Sequence, residues 1–153
     1  MSALIRRARQ EDIPALLGLL KLLFSIEKDF VFNADKQAQG LRLLLAESKA
    51  AVVLVAEAEQ GEGGEVIGFC TGQLLISTAQ GGPSALVEDV TVTPAWQGKG
   101  IGKRILAAAE AWAINQGASR IQLLADRSNV PALVFYQKTG FQTTAMMCLR
   151  KML

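Results

Sequence analysis

The feature that most constrains this chain is a β-branched run, residues 90–93, that leads through a proline into a glycine-rich loop. The loop reads Gln97-Gly98-Lys99-Gly100-Ile101-Gly102, and residues 105–112, which follow shortly after it, have the composition of a helix. A strand, a glycine loop and a helix start in this order direct free backbone N–H groups to one point, beside the positive end of a helix dipole. The segment therefore predicts an anion site, best suited to a phosphate.

Two better-known phosphate motifs do not fit this loop. A P-loop needs Gly-x-x-x-x-Gly-Lys-Ser/Thr, but its first glycine would fall at Gln97, and Arg104 would replace the hydroxyl residue that holds magnesium. A dinucleotide fingerprint needs Gly-x-Gly-x-x-Gly, and its third glycine would fall at Lys103 or at Ile105. The sequence therefore excludes both motifs.

The pattern that does fit residues 97–102 is Gln/Arg-x-x-Gly-x-Gly/Ala, which resembles the acetyl-CoA pyrophosphate loop of the GNAT superfamily of N-acetyltransferases. This resemblance implies acetyl-CoA as co-substrate, held by residues 97–102 and by Lys103. The glycines also have a physical reason, because a Cβ would stand between the backbone N–H groups and phosphate oxygens, and glycine adopts positive φ freely. The alternative interpretation is a flexible turn before a helix.

Composition narrows the class of protein. The chain has 153 residues and is expected to form a single GNAT-like domain over 1–153. Half of the residues are hydrophobic, which is compatible with a homodimer, yet no apolar run approaches the ~20 residues that span a bilayer. Residues 1–7 do not resemble a signal peptide, so a cytoplasmic protein without a membrane partner is expected. The net charge is +2 with dispersed basic residues, which argues against nucleic-acid binding.

The sequence contains no histidine. This excludes Ser-His, Cys-His and histidine-metal chemistry. Cys70 and Cys148 lie far apart and form no metal or redox motif, so no metal is expected, and both are predicted to be buried free thiols. Without histidine, a carboxylate is the natural candidate for a general base, acting directly or through water.

Hydrophobic periodicity and turn residues predict the element order β-α-α-β-β-β-α-β-α-β. Strands are expected over 3–8, 52–56, 66–76, 86–93, 120–125 and 141–153, with turns at 60–64 and 80–84. Helices are expected after Glu11, after a cap at Asp35, after the glycine loop and after a cap at Asn129. The fold class is α+β, with a mixed, mostly antiparallel sheet and helices on both faces. This is also the element order of the GNAT fold, so the resemblance extends over nearly the whole chain.

A second motif reads Asn-x-x-Ala-x-x-x-Tyr-x-x-x-Gly-Phe over residues 129–141. Asn129, Ala132 and Tyr136 share one helix face because they are three and four residues apart. The pattern is similar to the GNAT segment in which the asparagine contacts the cofactor and the tyrosine meets its sulfur. Without that resemblance, Asn129 would be only a helix cap and Tyr136 only a core aromatic residue.

Val90 and Val92 match the strand positions that bind the pantetheine arm through their backbone in the GNAT family. The physical basis is β-augmentation, in which an amide-containing arm pairs with exposed strand N–H and C=O groups. Such pairing requires the sheet to open beside this strand. The opening is an expectation from the resemblance, since the sequence alone does not establish it.

The catalytic candidates are Glu88, Asp89 and Tyr136. Exposing the lone pair of an amine with pKa about 10 costs about 4 kcal/mol at neutral pH, so a base is needed. Glu88 shares strand parity with Val90 and is expected to point with apolar neighbours, which raises a carboxyl pKa. Asp89 would point to the opposite face, as reserve base or substrate contact.

The Glu-Asp pair at 88–89 is similar to the spermidine/spermine acetyltransferase branch of the GNAT family, in which the matching glutamate is the base. A salt-bridged strand residue is the alternative interpretation of Glu88. Tyr136 is the expected acid for the departing thiolate, because a phenol with pKa ~10 is protonated at neutral pH. A strand N–H near Val90 is the expected oxyanion donor.

The sequence defines the residues that would bind the acceptor amine less well than those that would bind the cofactor. The resemblance implies that residues 24–32 and 77–84 line it, and the candidate substrate-binding residues are Phe24, Glu27, Phe30, Phe32, Ser77, Thr78 and Glu88. Aromatic rings and carboxylates suit a cationic amine with an apolar body, although core aromatics beside solvated charges would show the same pattern. A small-molecule amine is expected to attack directly in a ternary complex. A non-catalytic CoA-binding sensor and an acetyltransferase for protein or tRNA-linked amines are the alternatives.

Overall fold

The computed structural model describes residues 2–59 and 64–153. Its strands are β1 (Ala3–Arg7), β2 (Ala51–Ala58), β3 (Val66–Ser77), β4 (Gly82–Val92) and β5 (Ile121–Leu123). Its helices are α1 (Ile13–Ile26), α2 (Ala34–Ala46), α3 (Ile101–Asn115) and α4 (Val130–Lys138), with short 3-10 turns before α1 and before α3. None of the described helices is both long and apolar enough to cross a membrane.

The described strands form one sheet in the order β1-β2-β3-β4-β5. Neighbours from β1 to β4 are antiparallel, and β5 is parallel to β4. A parallel neighbour needs a crossover connection, and α3 provides it between β4 and β5. The mixed, mostly antiparallel sheet predicted from the sequence is therefore confirmed.

Helices cover both faces of the sheet, and each face has its own core. Strand β2 shows the division, because Val52 and Leu54 belong to the core under α3 whereas Val53 and Val55 belong to the core under α1 and α2. This alternation is what a strand buried on both faces requires. Each fully buried aliphatic side chain contributes about 1.5–3 kcal/mol, so β2 anchors both layers.

The β4–β5 ladder is short, and the sheet opens beyond it. It pairs Ala85–Val87 with β5 and ends there, whereas β4 continues to Val92. The Thr93 amide donates to the Ile67 carbonyl at 2.8 Å. Because antiparallel pairing alternates along a strand, the backbone groups of Val90 and Val92 point away from β3. The opening expected beside these two residues is thus present.

Strand β4 also contains a bulge at Asp89. Phe69 of β3 lies opposite Thr91, but Thr71 lies opposite Glu88, so β4 has one residue more than β3 in this stretch. Asp89 accommodates the extra length with a φ of +58°. Aspartate tolerates this left-handed conformation better than most residues, and bulges commonly redirect side chains next to active sites.

The C-terminal segment differs most from the sequence-based prediction. A strand is predicted over 141–153, but these residues form no strand, and Met146, Leu149 and Met152 are highly exposed. Strand β5 is also shorter than the predicted 120–125. A strand is stable only as part of a ladder. The segment has the apolar residues of a strand, but it has no paired neighbour and remains irregular.

Smaller differences have local causes. Asn33, not Asp35, caps α2, because its side chain accepts a hydrogen bond from the Lys36 amide at 3.0 Å. Cys148 is exposed because it lies in the irregular C-terminal segment, whereas Cys70 is buried as predicted. The predicted turn at 80–84 is shorter, since β4 already begins at residue 82. The predicted turn at 60–64 lies almost entirely outside the described residues.

Candidate active site

The loop before α3 needs its glycines for two different reasons. Gly98 and Gly100 have φ values of +73° and +80°, a region that side-chain-bearing residues rarely adopt. Gly102 has an ordinary backbone, but a Cβ there would lie 3.1 Å from the ring of Phe135. Two glycines therefore permit the turn, and the third permits α4 to pack against the start of α3.

The loop presents six consecutive backbone N–H groups, from Gly98 to Lys103, that donate to no acceptor among residues 2–59 and 64–153. The flanking amides are bonded, since Gln97 N donates to Pro94 O at 3.2 Å and Arg104 N donates to Gly100 O at 3.1 Å. The free amides lie at the N-terminus of α3, which has no side-chain cap. Unsatisfied donors and the helix dipole together favour an anion there.

Two side chains hold this loop in place. The Gln97 side-chain amide donates to the Val92 carbonyl at 2.9 Å, which ties the loop to the end of β4. The Lys99 ammonium lies 5.2 Å from the ring centroid of Trp96, which is 8% exposed. Such a cation–π contact contributes about 0.5–1 kcal/mol at an exposed site. Both contacts keep the amide cluster next to the open end of β4.

Helix α4 forms the neighbouring wall. Asn129 caps it as predicted, accepting a hydrogen bond from the Ala132 amide at 3.3 Å. The Tyr136 ring lies between Phe135 and Phe141, with centroid distances of 5.3 and 5.9 Å. Burial, with a smaller effect from the Glu27 carboxylate and Cys70, raises the pKa of Tyr136 to about 12. The phenol is therefore protonated at neutral pH.

The bulge carboxylate of Asp89 is the most perturbed acidic group of the site. Burial raises the pKa of Asp89 to about 6, and repulsion from Glu88 and Glu27 adds to this effect. The Thr71 hydroxyl lies 3.5 Å from an Asp89 carboxylate oxygen and opposes the rise. A carboxyl with such a pKa, in a cleft, has the properties of a general base that works near neutral pH.

The predicted orientation of Glu88 is wrong. Ala85 and Val87 pack on the α3 core, and Val90 and Val92 pack on the same core, although the second pair has the opposite parity. The bulge at 88–89 reverses the alternation between the two pairs. Glu88 is therefore exposed instead of pointing with Val90. Asp89 is not on the opposite face, because both carboxylates line one pocket.

That pocket lies between α1, α2 and the β4 bulge and has a volume of about 240 Å³. Its apolar walls come from the two helices and consist of Leu20, Phe24, Leu41 and Leu44. Its polar groups are Glu88 and Asp89 from β4 and Lys36 and Gln37 from α2. A cavity with apolar walls and few polar groups has the typical composition of a small-molecule site.

The helix connection beside this pocket carries further candidate residues. Phe24 and Phe30 stack with centroids 5.3 Å apart, and Phe32 packs partly on the α1–α2 core. Arg150 of the C-terminal segment lies 5.0 Å from the Phe30 ring centroid, so this ring already makes a cation–π contact within the protein. Burial, and then repulsion from Asp126, Glu88 and Asp29, raises the pKa of Glu27.

Comparison with known proteins decides the family. Residues 19–141 match the family model described as Acetyltransferase (GNAT) family. The chain belongs to the GNAT family. Aminoglycoside N(6')-acetyltransferase type 1 of Stenotrophomonas maltophilia is 30% identical over 115 residues, which are 73% of this chain and 72% of that protein. The uncharacterized N-acetyltransferase YhfO of Bacillus subtilis is 30% identical over 141 residues, 90% of this chain and 89% of that protein.

Solved structures agree on the fold of this GNAT protein. The structure of AAC(6')-Iy in complex with the bisubstrate analogue CoA-S-monomethyl-acetylneamine superposes with a TM-score of 0.83 and covers 100% of this chain and 99% of that one, at 20% sequence identity. Family membership makes the chain an acyl-CoA-dependent N-acetyltransferase. The comparisons do not separate a spermidine/spermine branch from other GNAT branches.

The structure does not bring two of the predicted acceptor residues to this GNAT site. Ser77 pairs with Gly82 at the far end of the β3–β4 hairpin. Gly82 is six residues before Glu88, which corresponds to roughly 20 Å along a strand. Ser77 instead accepts a hydrogen bond from the Gln80 amide at 3.3 Å, and Thr78 follows it in the same turn.

Sequence reasoning also missed residues that the fold places at the site. Thr71 contacts Asp89 only because the bulge sets that register, so no local pattern could have identified it. Lys36 lines the pocket, which depends on how α2 packs. Asp126 acts on the site only through its repulsion of Glu27. Its position could have been predicted, because it follows β5, and parallel strands such as β4 and β5 end at the same edge of a sheet.

Proposed function

We propose that this GNAT protein transfers the acetyl group of acetyl-CoA to the primary amine of a small molecule, by direct attack in a ternary complex. The observation that carries the proposal is the arrangement at the end of β4. The free amides at 98–103 follow this strand, and the partly buried Asp89 carboxylate lies within it. One strand thus joins a diphosphate site to a candidate base for an ammonium group.

The cofactor would be held mainly by backbone groups. The amides of residues 98–103 would donate to the diphosphate, each bond to a charged acceptor contributing roughly 1.5–3 kcal/mol. The backbone groups of Val90 and the Val92 amide, beyond the β4–β5 ladder, would pair with the amides of the pantetheine arm, since the Val92 carbonyl already accepts from the Gln97 side chain. Asn129, Ala132 and Tyr136 on α4 would form the second wall, with the Tyr136 phenol next to the thioester sulfur.

Asp89 is our choice for the base. With a pKa of about 6, roughly nine-tenths of Asp89 is ionised at pH 7 and ready to take a proton from the acceptor ammonium, directly or through water. Glu88 is the base that the resemblance to the spermidine/spermine branch implies, and it lines the same pocket. It is exposed, however, and therefore lacks the burial that tunes Asp89.

Tyr136 is proposed to assist departure of the thiolate. Full proton transfer from a phenol with a pKa of about 12 to an ordinary thiolate with a pKa of ~8.5 is uphill by about 5 kcal/mol. The phenol therefore stabilises the sulfur first as a hydrogen-bond donor, and it passes its proton to the sulfur only as its oxygen takes up the second proton of the acetylated nitrogen, the first having gone to Asp89. Tyr136→Phe keeps both ring contacts, and we expect kcat to fall roughly 10- to 100-fold with little change in acetyl-CoA affinity.

Two measurements test the proposed function. Isothermal titration with acetyl-CoA should show binding, and a panel of amines, including the aminoglycosides that the names of relatives suggest, should release free thiol. Binding without thiol release for any amine would favour the non-catalytic sensor. Thiol release only with peptides or aminoacyl-tRNA would favour a macromolecular acceptor. Absence of acetyl-CoA binding would overturn the proposal.

A further inference from the structure

We propose that the acceptor is a small amphoteric amine, a molecule with both an amino group and an anionic group, and that Lys36 is the residue that selects it. This inference rests on the proposed function and concerns the same pocket. It follows from the distribution of charge in the cavity between α1, α2 and β4. Specificity for such a molecule requires opposite charges on different walls, and this cavity has them.

The negative wall is the bulge of β4. Glu88 and Asp89 both line the cavity there, and the candidate base is one of them. An acceptor ammonium must approach this wall in order to be deprotonated. The amino end of the acceptor is thereby assigned to β4, which leaves the helix walls for the rest of the molecule.

The positive wall is the first part of α2. Lys36, Gln37 and Gly40 line the cavity together with Leu41 and Leu44, a spacing that places them on one helix face. Lys36 lies at the N-terminal end of this face, and Leu44 follows eight residues later, roughly 12 Å along the helix axis. The positive end of the α2 dipole lies next to Lys36 and also favours an anion.

Both polar side chains of α2 are able to serve as donors to a ligand. The salt bridges within residues 2–59 and 64–153 involve Arg6 and Arg150, not Lys36. Lys36, which is exposed, thus forms no salt bridge with Glu88 or Asp89. Gln37 uses its carbonyl oxygen to accept from the Asn33 amide at 2.5 Å, so its NH₂ group is left to donate. An ammonium and an amide donor suit a carboxylate or a similar anion.

Charge argues against a polycation as the preferred acceptor. A second ammonium at the α2 end would meet the Lys36 charge, and like charges at close range are unfavourable. Between the charged ends, Leu20, Leu41 and Leu44 provide apolar surface for a short carbon body.

The test compares amines that differ only in the carboxylate. The pairs are 4-aminobutanoate with propylamine and L-lysine with 1,5-diaminopentane, each assayed with acetyl-CoA by thiol release. At least one amino acid should exceed its matched amine roughly tenfold or more in kcat/KM. Lys36→Gln should remove this preference by raising KM for the amino acid about tenfold, and Lys36→Glu should favour the diamine.

Arg42→Gln is the matched control, because Arg42 lies on the same helix, is exposed and does not line the cavity. The inference is overturned if each amine equals or exceeds its amino acid, if no amino acid reacts, or if Lys36→Gln behaves like Arg42→Gln. Titration with acetyl-CoA separates this failure from failure of the proposed function. If the protein binds acetyl-CoA and acetylates only aminoglycosides, this inference is contradicted but the proposed function is not.

Discussion

The two halves of the candidate site are built in different ways. The anion site consists of consecutive backbone amides, 98–103, in one short segment of the chain. The acceptor pocket collects side chains from α1, α2 and β4, which lie far apart in sequence. A site made of local backbone groups is encoded in a short motif, whereas a site made of distant side chains depends on packing and on strand register.

The two halves also differ in the sign of their charge. The amide cluster and the α3 dipole attract anions, whereas the Glu88 and Asp89 carboxylates on the β4 wall of the pocket attract cations. Opposite potentials at neighbouring sites direct a diphosphate and an ammonium to different places. Variants that affect one half and spare the other test this division.

The largest expected effect concerns the pocket alone. Asp89→Asn should lower kcat/KM by 10²- to 10⁴-fold, because general base catalysis contributes that much, while acetyl-CoA affinity stays within about twofold. In the wild type, the rate should rise with pH through about 6, since the Asp89 carboxyl must be ionised to accept a proton. The variant should lack this inflection in thiol-release assays from pH 5 to 9.

Glu88→Gln is the control for this variant, because Glu88 lines the same pocket and is exposed. We expect a loss below tenfold and an unchanged pH inflection. A large loss in Glu88→Gln together with a small loss in Asp89→Asn would transfer the role of base to Glu88. If acetyl-CoA affinity fell in either variant by the same factor as kcat/KM, the division of the site into two halves would be contradicted.

The second prediction concerns how ionisation of Asp89 changes the free energy of unfolding. The pKa of Asp89 is about 6 in the folded protein, compared with its usual 3.8, a difference of about two units at 1.36 kcal/mol each. A raised folded pKa means that the protonated acid is favoured. Ionisation therefore destabilises the fold by at most about 3 kcal/mol, a loss that grows between about pH 4 and pH 6 and is complete above it.

Asp89→Asn removes this ionisation and retains a side chain that tolerates a positive φ. In urea unfolding at pH 8, the variant should be more stable than the wild type, and at pH 4 the two proteins should be nearly equal. A stability difference that is the same at both pH values would show that burial of the charge is not its cause. A more stable but inactive variant would fit the usual conflict between stability and function at an active site.

The smallest effect concerns the loop. Gly100→Ala places a Cβ on a residue with φ of +80°, which costs roughly 1–2 kcal/mol and should weaken acetyl-CoA binding about tenfold as the amides shift. Gly18→Ala in α1 is the control, since a Cβ there meets no atom within 4 Å. It should stabilise the protein by about 0.5–1 kcal/mol without changing affinity. An unchanged acetyl-CoA affinity in Gly100→Ala would contradict the proposal that the amides of residues 98–103 bind the diphosphate.

Local features of the chain could be predicted well. The buried face of α3, with Ile105, Ala109 and Trp112, follows from helical spacing alone. Asn129 caps α4 as its residue type indicates. The glycine loop lies between a strand and a helix, as its neighbours require. In each case the determining interactions join residues only a few positions apart.

Register and pairing could not be predicted in the same way. The orientation of Glu88 depends on one extra residue in β4, and an alternating pattern does not show where a strand has a bulge. The predicted strand at 141–153 has suitable residues but no ladder partner in this structure. Strand pairing is a property of two segments, so one segment's pattern does not decide it.

By itself, the sequence determined the order of the elements as far as α4, the amide-rich helix start and the absence of histidine chemistry, because these depend on composition and short-range spacing. Only the tertiary structure decided which carboxylate is buried, which of the predicted acceptor residues meet, and that Lys36 lies in the pocket with Glu88 and Asp89. The physical reason is that burial and charge proximity arise from contacts between distant segments. Those contacts are set when β4, α1 and α2 pack together.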